Sequence, residues 1–276
     1  MKIVTDTGTL YSPEEGKKIG IDVLPLNVIV DKKSYKEYVD IQSDEFLKIV
    51  NEGHVPSSSQ PSVGLTMEVL EESQEETLVI HMADGLSGTY QSTLGVKAMM
   101  EKSDHIHVMN SMTLCGPERY LVQKAMKLKE EGKALNDIMQ ALHKSIATEC
   151  SFLIPQDFDF LKRGGRLTPL AAKVGSMLKI VPIMTMTKDA KRLETYGMKK
   201  TYKGAIKEII KHFKNIGVDD SYKIYISHAG VLQQAQSTLQ QIQLAFENVS
   251  IEILDLSPVF ITQGGPGCIA IQTIQM

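Results

Sequence analysis

The chain has 276 residues, with 30 lysines and arginines against 33 aspartates and glutamates, which gives a net charge of −3 at neutral pH. A chain of this length buries about three quarters of its unfolded surface, in one large or two smaller domains, without needing a disulfide or metal. The balanced charge and the 6% aromatic content argue against a sequence-independent grip on nucleic acid or on an anionic membrane.

The cysteines and the apolar runs indicate where in the cell the protein is expected. Cys115, Cys150 and Cys268 are odd in number and far apart, and the histidines show no metal-ligand spacing, so we expect neither a disulfide framework nor a metal site. The first residues become polar by Thr5, and no apolar run approaches the ~18 residues of a membrane span. The sequence therefore predicts a cytoplasmic protein without stable membrane insertion.

The first half of the chain alternates short apolar runs with helical patterns. Ser12 starts a helix with Pro13 at its first position and Glu15 completing a capping box. Ser43 is expected to cap a helix that ends near Asn51. The other predicted elements are strands 2–5, 23–30, 77–82 and 105–110 and helices 88–102, 118–131 and 135–148. Strands alternating with helices predict a largely parallel sheet.

Composition changes near residue 155. Segment 161–170 carries glycine, arginine and proline and is predicted to be a loop, and strands 180–187 and 194–198 are predicted to form an antiparallel hairpin. The remaining predicted elements are helices 203–216 and 231–247 and strands 222–228, 251–255 and 268–274.

These patterns predict an α/β protein of two domains. The first, 1–155, has a largely parallel sheet with flanking helices. The second, 156–276, is α+β with a mixed sheet. We expect a ligand cleft between them, and segments can exchange between the two domains.

Two polar loops of the first half are candidate anion sites. The serines of 57–62 could donate several hydrogen bonds to one anionic group, or could simply form a capped turn before a helix. Ser87 and Gly88 lie between a strand and a helix, where free amides and the helix dipole attract anions, although a plain N-cap is an equal alternative.

Two glycine-rich loops of the second half are further candidates. Gly164 and Gly165 could form an anion nest beside Arg166, whose guanidinium can fork onto a carboxylate or phosphate. The loop 263–268 could bring the backbone close to a ligand. For both loops, a tight turn is the alternative interpretation.

Enzyme motifs are mostly missing. Segment 5–10 resembles the aspartyl-phosphatase pattern DxDGTL, but Thr5 and Thr7 stand where both aspartates must be. The phosphate-loop, nucleophile-elbow and dinucleotide fingerprints do not occur. Ser87, His228 and Asp6 could form a triad on paper, as some such trio could in any chain of this size. The residues favour anion binding, and they leave open a hydrolase or transferase with Ser87 as nucleophile, or a lipid-sensing regulator.

Read together, the motifs resemble those of a known family. Thr5-Asp6-Thr7 is similar to TDS, the segment 56–62 to PTTSQPS and 161–167 to LxxGGR, while 87–92 matches SGTYQS completely. In this order, and with the C-terminal GPG, the motifs resemble the DegV family over essentially the whole chain. The best understood branch of that family comprises the fatty-acid-binding subunits (FakB) of bacterial fatty-acid kinase.

The resemblance implies a binding protein that is not itself an enzyme. A long-chain fatty acid would lie in a tunnel between the two domains, with no other cofactor and no metal, and a separate kinase subunit would phosphorylate its carboxylate. The residues that the family's motifs assign to substrate binding are Ser58, Ser59, Ser87, Gly88, Arg166, Lys200 and Gln263. Gln263 stands where the family has histidine, Lys200 where it has arginine, and Asn110 where it has aspartate.

The 14 methionines fit this interpretation, because methionine fills irregular apolar space adaptably. Met67, Met177, Met184 and Met186 flank the proposed carboxylate-binding loops. We expect some of them to line a tunnel that accepts more than one chain shape.

Overall fold

The computed structural model describes residues 1–173 and 180–276 of the chain; Met177 lies outside these ranges. The strands described are β1 (Lys2–Asp6), β2 (Asp22–Leu24), β3 (Asn27–Val30), β4 (Lys33–Lys36), β5 (Ser57–Ser59), β6 (Thr77–His81), β7 (Ile106–Asn110), β8 (Cys150–Ile154), β9 (Val181–Met186), β10 (Leu193–Lys199), β11 (Tyr222–His228), β12 (Ser250–Asp255) and β13 (Ile269–Gln275). The α-helices described are α1 (Pro13–Lys18), α2 (Ser43–Asn51), α3 (Val63–Glu71), α4 (Thr89–Met99), α5 (Cys115–Glu130), α6 (Leu135–Ile146), α7 (Phe158–Gly164), α8 (Tyr202–Asn215), α9 (Leu232–Gln243) and α10 (Pro258–Gly264).

The N-terminal part is built on a parallel sheet in the order β2-β1-β6-β7. The capping box is confirmed: Ser12 Oγ accepts from the Glu15 amide, and Glu15 Oε2 accepts from the Ser12 amide. Ser43, in contrast, does not cap α2. Gln42 takes the cap position, because its carbonyl accepts the first helical bond, from the Phe46 amide.

A small antiparallel sheet, in the order β4-β3-β5, adjoins the parallel sheet. The sequence suggested one strand over 23–30, interrupted by Pro25. The chain instead leaves the parallel sheet after β2 and joins the small sheet as β3. The turn between them is held by the Leu26 amide, which donates to Thr7 Oγ1 at 3.0 Å. This small sheet carries the serine-rich segment as β5.

The C-terminal part is built on a mixed sheet in the order β10-β9-β8-β13-β11-β12. Its β11–β12 pair is parallel and the other pairs are antiparallel, including the predicted β9–β10 hairpin. The α/β class, with a parallel sheet followed by a mixed one, is confirmed. Because β8 belongs to the mixed sheet, a boundary at residue 155 would cut β8 from its neighbours. We therefore propose a domain division before Cys150.

Two of the predicted loops are partly helical. The segment 161–170 begins inside α7, which Asp157 caps by accepting from the Asp159 amide, and which ends where Gly165 adopts φ +70°. The loop 263–268 likewise begins inside α10, which packs on α2, α7, β3 and β5. Within the described residues, no helix combines the length and apolar character needed to cross a membrane.

Candidate ligand-binding site

A cavity of about 280 Å³ lies between the small sheet, the α4 N-terminus and the mixed sheet. Polar groups that line it include Ser58, Ser59, Gln60, Ser87, Gly88, Arg166 and Gln263. Apolar side chains that line it include Leu26, Met82, Leu86, Leu114, Phe152, Leu153, Leu161, Met184, Met186, Leu193, Leu256, Val259, Phe260 and Ala270. Six of the seven sequence-predicted site residues thus border one cavity, although they come from distant parts of the chain.

Lys200 is the predicted site residue that does not reach the cavity. It is exposed just after β10, an edge strand of the mixed sheet, and the preceding Lys199 forms an ion pair with Glu208 of α8 at 2.7 Å. The position past the strand end turns this lysine to the surface, and Lys200 is not among the residues that line the cavity. The positive charge that lines the cavity belongs to Arg166.

Ser87 and Gly88 form the start of α4. Ser87 Oγ accepts from the Thr89 amide at 3.3 Å and shares a 2.7 Å hydrogen bond with Thr89 Oγ1. Gly88 is the N-cap residue and provides no side-chain cap, so the first-turn amides and the helix dipole favour an anion at this end of the cavity. A Cβ on Gly88 would lie 2.5 Å from Oε1 of the exposed Gln60 side chain, so Gly88 and Gln60 are close neighbours at this end of the cavity.

Arg166 joins the two halves of the site. Its Nε donates to the Leu86 carbonyl at 3.1 Å, and its Nη1 donates to the Gly164 carbonyl at 2.5 Å. Burial and the neighbouring Arg192 lower the pKa of Arg166. A guanidinium has five N–H donors, so it can bind these two carbonyls and still donate to an anion.

The suggested anion nest at the double glycine is wrong. Gly164 and Gly165 end α7, and a helix C-terminus presents carbonyl oxygens rather than free amides. These carbonyls accept from cations instead: Gly164 from Arg166, and Gly165 from Arg192 Nη1 at 2.9 Å. The glycines therefore hold the arginines, and an arginine rather than the loop backbone faces the cavity.

Gln263 and Ser58 are 205 residues apart and touch directly. Gln263 Nε2 donates to Ser58 Oγ at 3.0 Å, while Gln263 Oε1 is buried without a donor among the described residues. In this orientation the Ser58 oxygen accepts from Gln263, so the single O–H of Ser58 is left to donate to a ligand. A Cβ on Gly164 would lie 2.2 Å from Gln263 Oε1, so Gly164 makes room for the Gln263 amide.

Three of the four methionines expected near the site lie among the described residues. Met184 and Met186 line the cavity from β9, whereas Met67 packs with Val4 and Leu24 of the parallel sheet. Cys115 and Cys268 also line the cavity, and burial raises the pKa of Cys268 to about 12, so its thiol offers a neutral surface. These cysteines and Gln60 were not among the predicted site residues; the alternation of residues 268–272 was a usable signal for Cys268 alone.

The catalytic trio is not assembled. Asp6 Oδ2 pairs with His81 Nδ1 at 2.8 Å, while His228 Nδ1 lies 3.4 Å from Asp255. Ser87 Oγ has hydrogen bonds only within its own turn among the described residues. Within the same ranges, no group of three or more histidine, cysteine or acidic side chains could hold a metal. The geometry gives no support to a hydrolase or transferase with Ser87 as nucleophile.

A family model described as "Uncharacterised protein, DegV family" matches residues 1–276. The chain belongs to the DegV family. A DegV domain-containing protein of Halalkalibacterium halodurans is 32% identical over 275 residues, which cover 98% of this chain and 96% of the relative. The expected family membership is thus confirmed over the whole chain.

Solved DegV structures share the fold. A structure of DegV from Bacillus subtilis, described as a fatty acid binding protein, is 26% identical with a TM-score of 0.86, covering 100% of this chain and 99% of that one. A DegV family protein from Eubacterium eligens, described as loaded with heptadecanoic acid, is 18% identical with a TM-score of 0.87, covering 100% of both chains.

Proposed function

We propose that this protein binds a long-chain fatty acid in its central cavity and performs no chemistry on it. The observation that carries the proposal is the separation of polar from apolar residues along the cavity wall. Hydroxyls, a helix N-terminus and a guanidinium gather where β5, α4 and α7 meet, whereas aliphatic and thioether side chains supply most of the remaining lining. A fatty acid matches this arrangement, because its carboxylate fits the polar region and its alkyl chain fits the apolar one.

The carboxylate would be bound by Ser58, Ser87, the Gly88 amide and Arg166, with Ser58 free to donate because its oxygen already accepts from Gln263 Nε2. Ser59 borders the same region but is exposed, and it fits a secondary contact. Hydrogen bonds to a charged group are stronger than neutral ones, and the α4 dipole adds to them.

The alkyl chain would lie against Leu153, Met184, Phe260 and their neighbours. Burial of each methylene contributes about 0.8 kcal/mol before the costs of binding, so a chain of ~16 carbons could remain bound through purification. The description of the Bacillus subtilis relative as a fatty acid binding protein supports the same ligand class.

Extraction of the purified protein under denaturing conditions, followed by mass spectrometry, tests this proposal. We expect a long-chain fatty acid in near-stoichiometric amount, and stripped protein should rebind added palmitate or oleate. If no lipid is recovered and neither acid binds, the protein is not a fatty-acid carrier. A lysozyme sample processed in parallel controls for lipid acquired during extraction.

We further propose that a separate kinase phosphorylates the bound carboxylate. Exposed Ser59 and Gln60 border the cavity, so the carboxylate would lie near the surface. Among the described residues, no base is hydrogen-bonded to Ser87 to activate it as a nucleophile. The terminal phosphoryl group of ATP would pass to a carboxylate oxygen, giving an acyl phosphate and ADP.

This step can be tested with palmitate-loaded protein, ATP, magnesium and the purified catalytic subunit of a bacterial fatty-acid kinase. Hydroxylamine converts an acyl phosphate to a hydroxamate that mass spectrometry detects. We expect hydroxamate only when all components are present. Protein that retains palmitate but never yields hydroxamate would contradict presentation to such a kinase while leaving fatty-acid binding intact.

A further inference from the structure

One wall of the cavity follows β13 and can be traced residue by residue. Cys268, Ala270 and Gln272 occupy alternate positions and line the cavity, whereas Ile269 and Ile271 face the opposite core. At a rise of about 3.3 Å per residue, this strip extends ~13 Å from Cys268 to Gln272. A Cβ on Gly264 would lie 2.6 Å from Cys268 Sγ, so the strip begins beside α10, next to Gln263.

The strip ends at Gln272. The next side chain on that face, Ile274, belongs to a separate hydrophobic cluster around α5 and does not border the cavity. On β8, Leu153 pairs with Ala270 and Ser151 pairs with Gln272. Both pairs line the cavity, so its wall changes from an apolar pair to a polar pair at its last rung.

Gln272 is held in place on two sides. Its Nε2 donates to the Leu114 carbonyl at 3.0 Å and to Ser151 Oγ at 2.8 Å, and the residue is 1% exposed. Because a backbone carbonyl only accepts hydrogen bonds, the nitrogen must face Leu114, so the amide orientation is fixed. Ser151 in turn donates to Glu149, which also accepts from Thr113 Oγ1 at 3.1 Å.

An alkyl chain that follows this strip could pass the rung only by displacing Gln272. Displacement would leave the Leu114 carbonyl without its donor and would place methylenes against buried polar groups, both of which are unfavourable. Gln272 Oε1 already lacks a donor among the described residues, and an alkyl chain offers it none. The Ser151–Gln272 pair is therefore an unfavourable surface for an alkyl chain to pass.

We propose that Gln272, held by Leu114 and Ser151, is the end wall that sets the longest fatty acid this protein accepts. The inference rests on the proposed fatty-acid function and adds a specificity-determining residue to it. Ala270, one rung nearer the carboxylate end, has the smallest side chain on the strip. Enlarging it should shorten the accessible space, just as shortening Gln272 should lengthen it.

The test is competition between saturated acids of 12 to 22 carbons for the stripped protein, read by native mass spectrometry. For the wild type we expect occupancy to rise about fourfold with each added methylene, the factor that methylene burial gives, and then to fall sharply beyond one length. Gln272→Ala should move that fall to longer acids by two carbons or more. Ala270→Val should move it to shorter ones.

Gln275→Ala is the matched control, because Gln275 lies on the same strand and does not border the cavity. It should keep the wild-type length profile. If Gln272→Ala folds and keeps the wild-type profile, the end-wall assignment is overturned. If that variant fails to fold, Ala270→Val decides, and an unshifted limit there also overturns it. Wild-type protein that binds no acid of any length would contradict the proposed function instead.

Discussion

Single hydroxyl groups carry much of the proposed carboxylate binding. Ser58 borders the cavity from the middle of β5, and Ser87 borders it from the turn before α4, while Ser57 lies on the same short strand without bordering the cavity. Adjacent residues of a strand point to opposite faces, so half-buried Ser58 lies on the face opposite exposed Ser57. Ser59 shares the Ser57 face and borders the cavity from the end of the strand.

We expect Ser58→Ala and Ser87→Ala each to weaken palmitate binding roughly 10- to 100-fold, the value of a lost hydrogen bond to a charged group. Isothermal titration of stripped protein measures this. Ser57→Ala is the control and should bind like the wild type. Equal affinities in all four proteins would show that the carboxylate is bound elsewhere.

At the scale of elements, the placement of α10 determines where Gln263 lies. Glu37, just after β4, accepts from the Val259 amide at 2.9 Å through Oε2 and from Thr7 Oγ1 through Oε1. The buried Glu37 carboxylate therefore ties the loop after β1 to the first turn of α10, whose Val259 lies 222 residues after Glu37. Burial raises the pKa of Glu37 from 4.5 to about 7, although these hydrogen bonds act in the opposite direction.

The raised pKa predicts a pH dependence of stability. Between about pH 4.5 and pH 7 the folded protein holds a proton at Glu37 that the unfolded chain has released, so the folded state loses stability as pH rises through this window. For this group the loss is roughly 2–4 kcal/mol. We expect urea unfolding at pH 5 and pH 8 to show it in the wild type.

Glu37→Gln should remove the Glu37 share of that difference, because an amide does not titrate and its oxygen can still accept from Val259. Burial also raises the pKa of Glu149 to about 7, so Glu149 contributes a similar pH dependence in both proteins. Asp6, Tyr38 and Cys115 interact electrostatically with Glu37, so the comparison must be with wild-type protein under identical conditions. Glu45→Gln, at an exposed position of α2, is the control and should keep the wild-type dependence. Parallel wild-type and Glu37→Gln curves would contradict the prediction.

At the scale of the whole molecule, the cavity exists because distant segments meet. Ser58 and Ser87 come from the first third of the chain, Arg166 from the middle and Gln263 from near the C-terminus, and α10 brings C-terminal residues back onto the small sheet. The ligand site therefore belongs to neither half alone.

Local patterns in the sequence were sufficient for most of the architecture. Period-two and helical runs predicted the parallel and mixed sheets, and the capping box at Ser12 was confirmed, because these features depend on neighbours a few residues apart. Motif order indicated the family and six residues that border one cavity. Arg166 was among these residues. The loop before it proved to be the end of α7, where the carbonyls of Gly164 and Gly165 accept from arginines.

Only the tertiary structure decided the features that depend on distant partners. Lys200 was assigned by motif, but its place after an edge strand turns it to the surface. Met67 was expected near the tunnel, but α3 packs it against the parallel sheet. Gln272 belongs to no recognised motif. Its role became evident only from the hydrogen bonds that it makes to Leu114 and Ser151, which lie on two other segments of the chain. The sequence by itself determined the elements and the family, since these follow from short-range order. The cavity and its limits required the fold, because they arise from contacts between segments far apart in the chain.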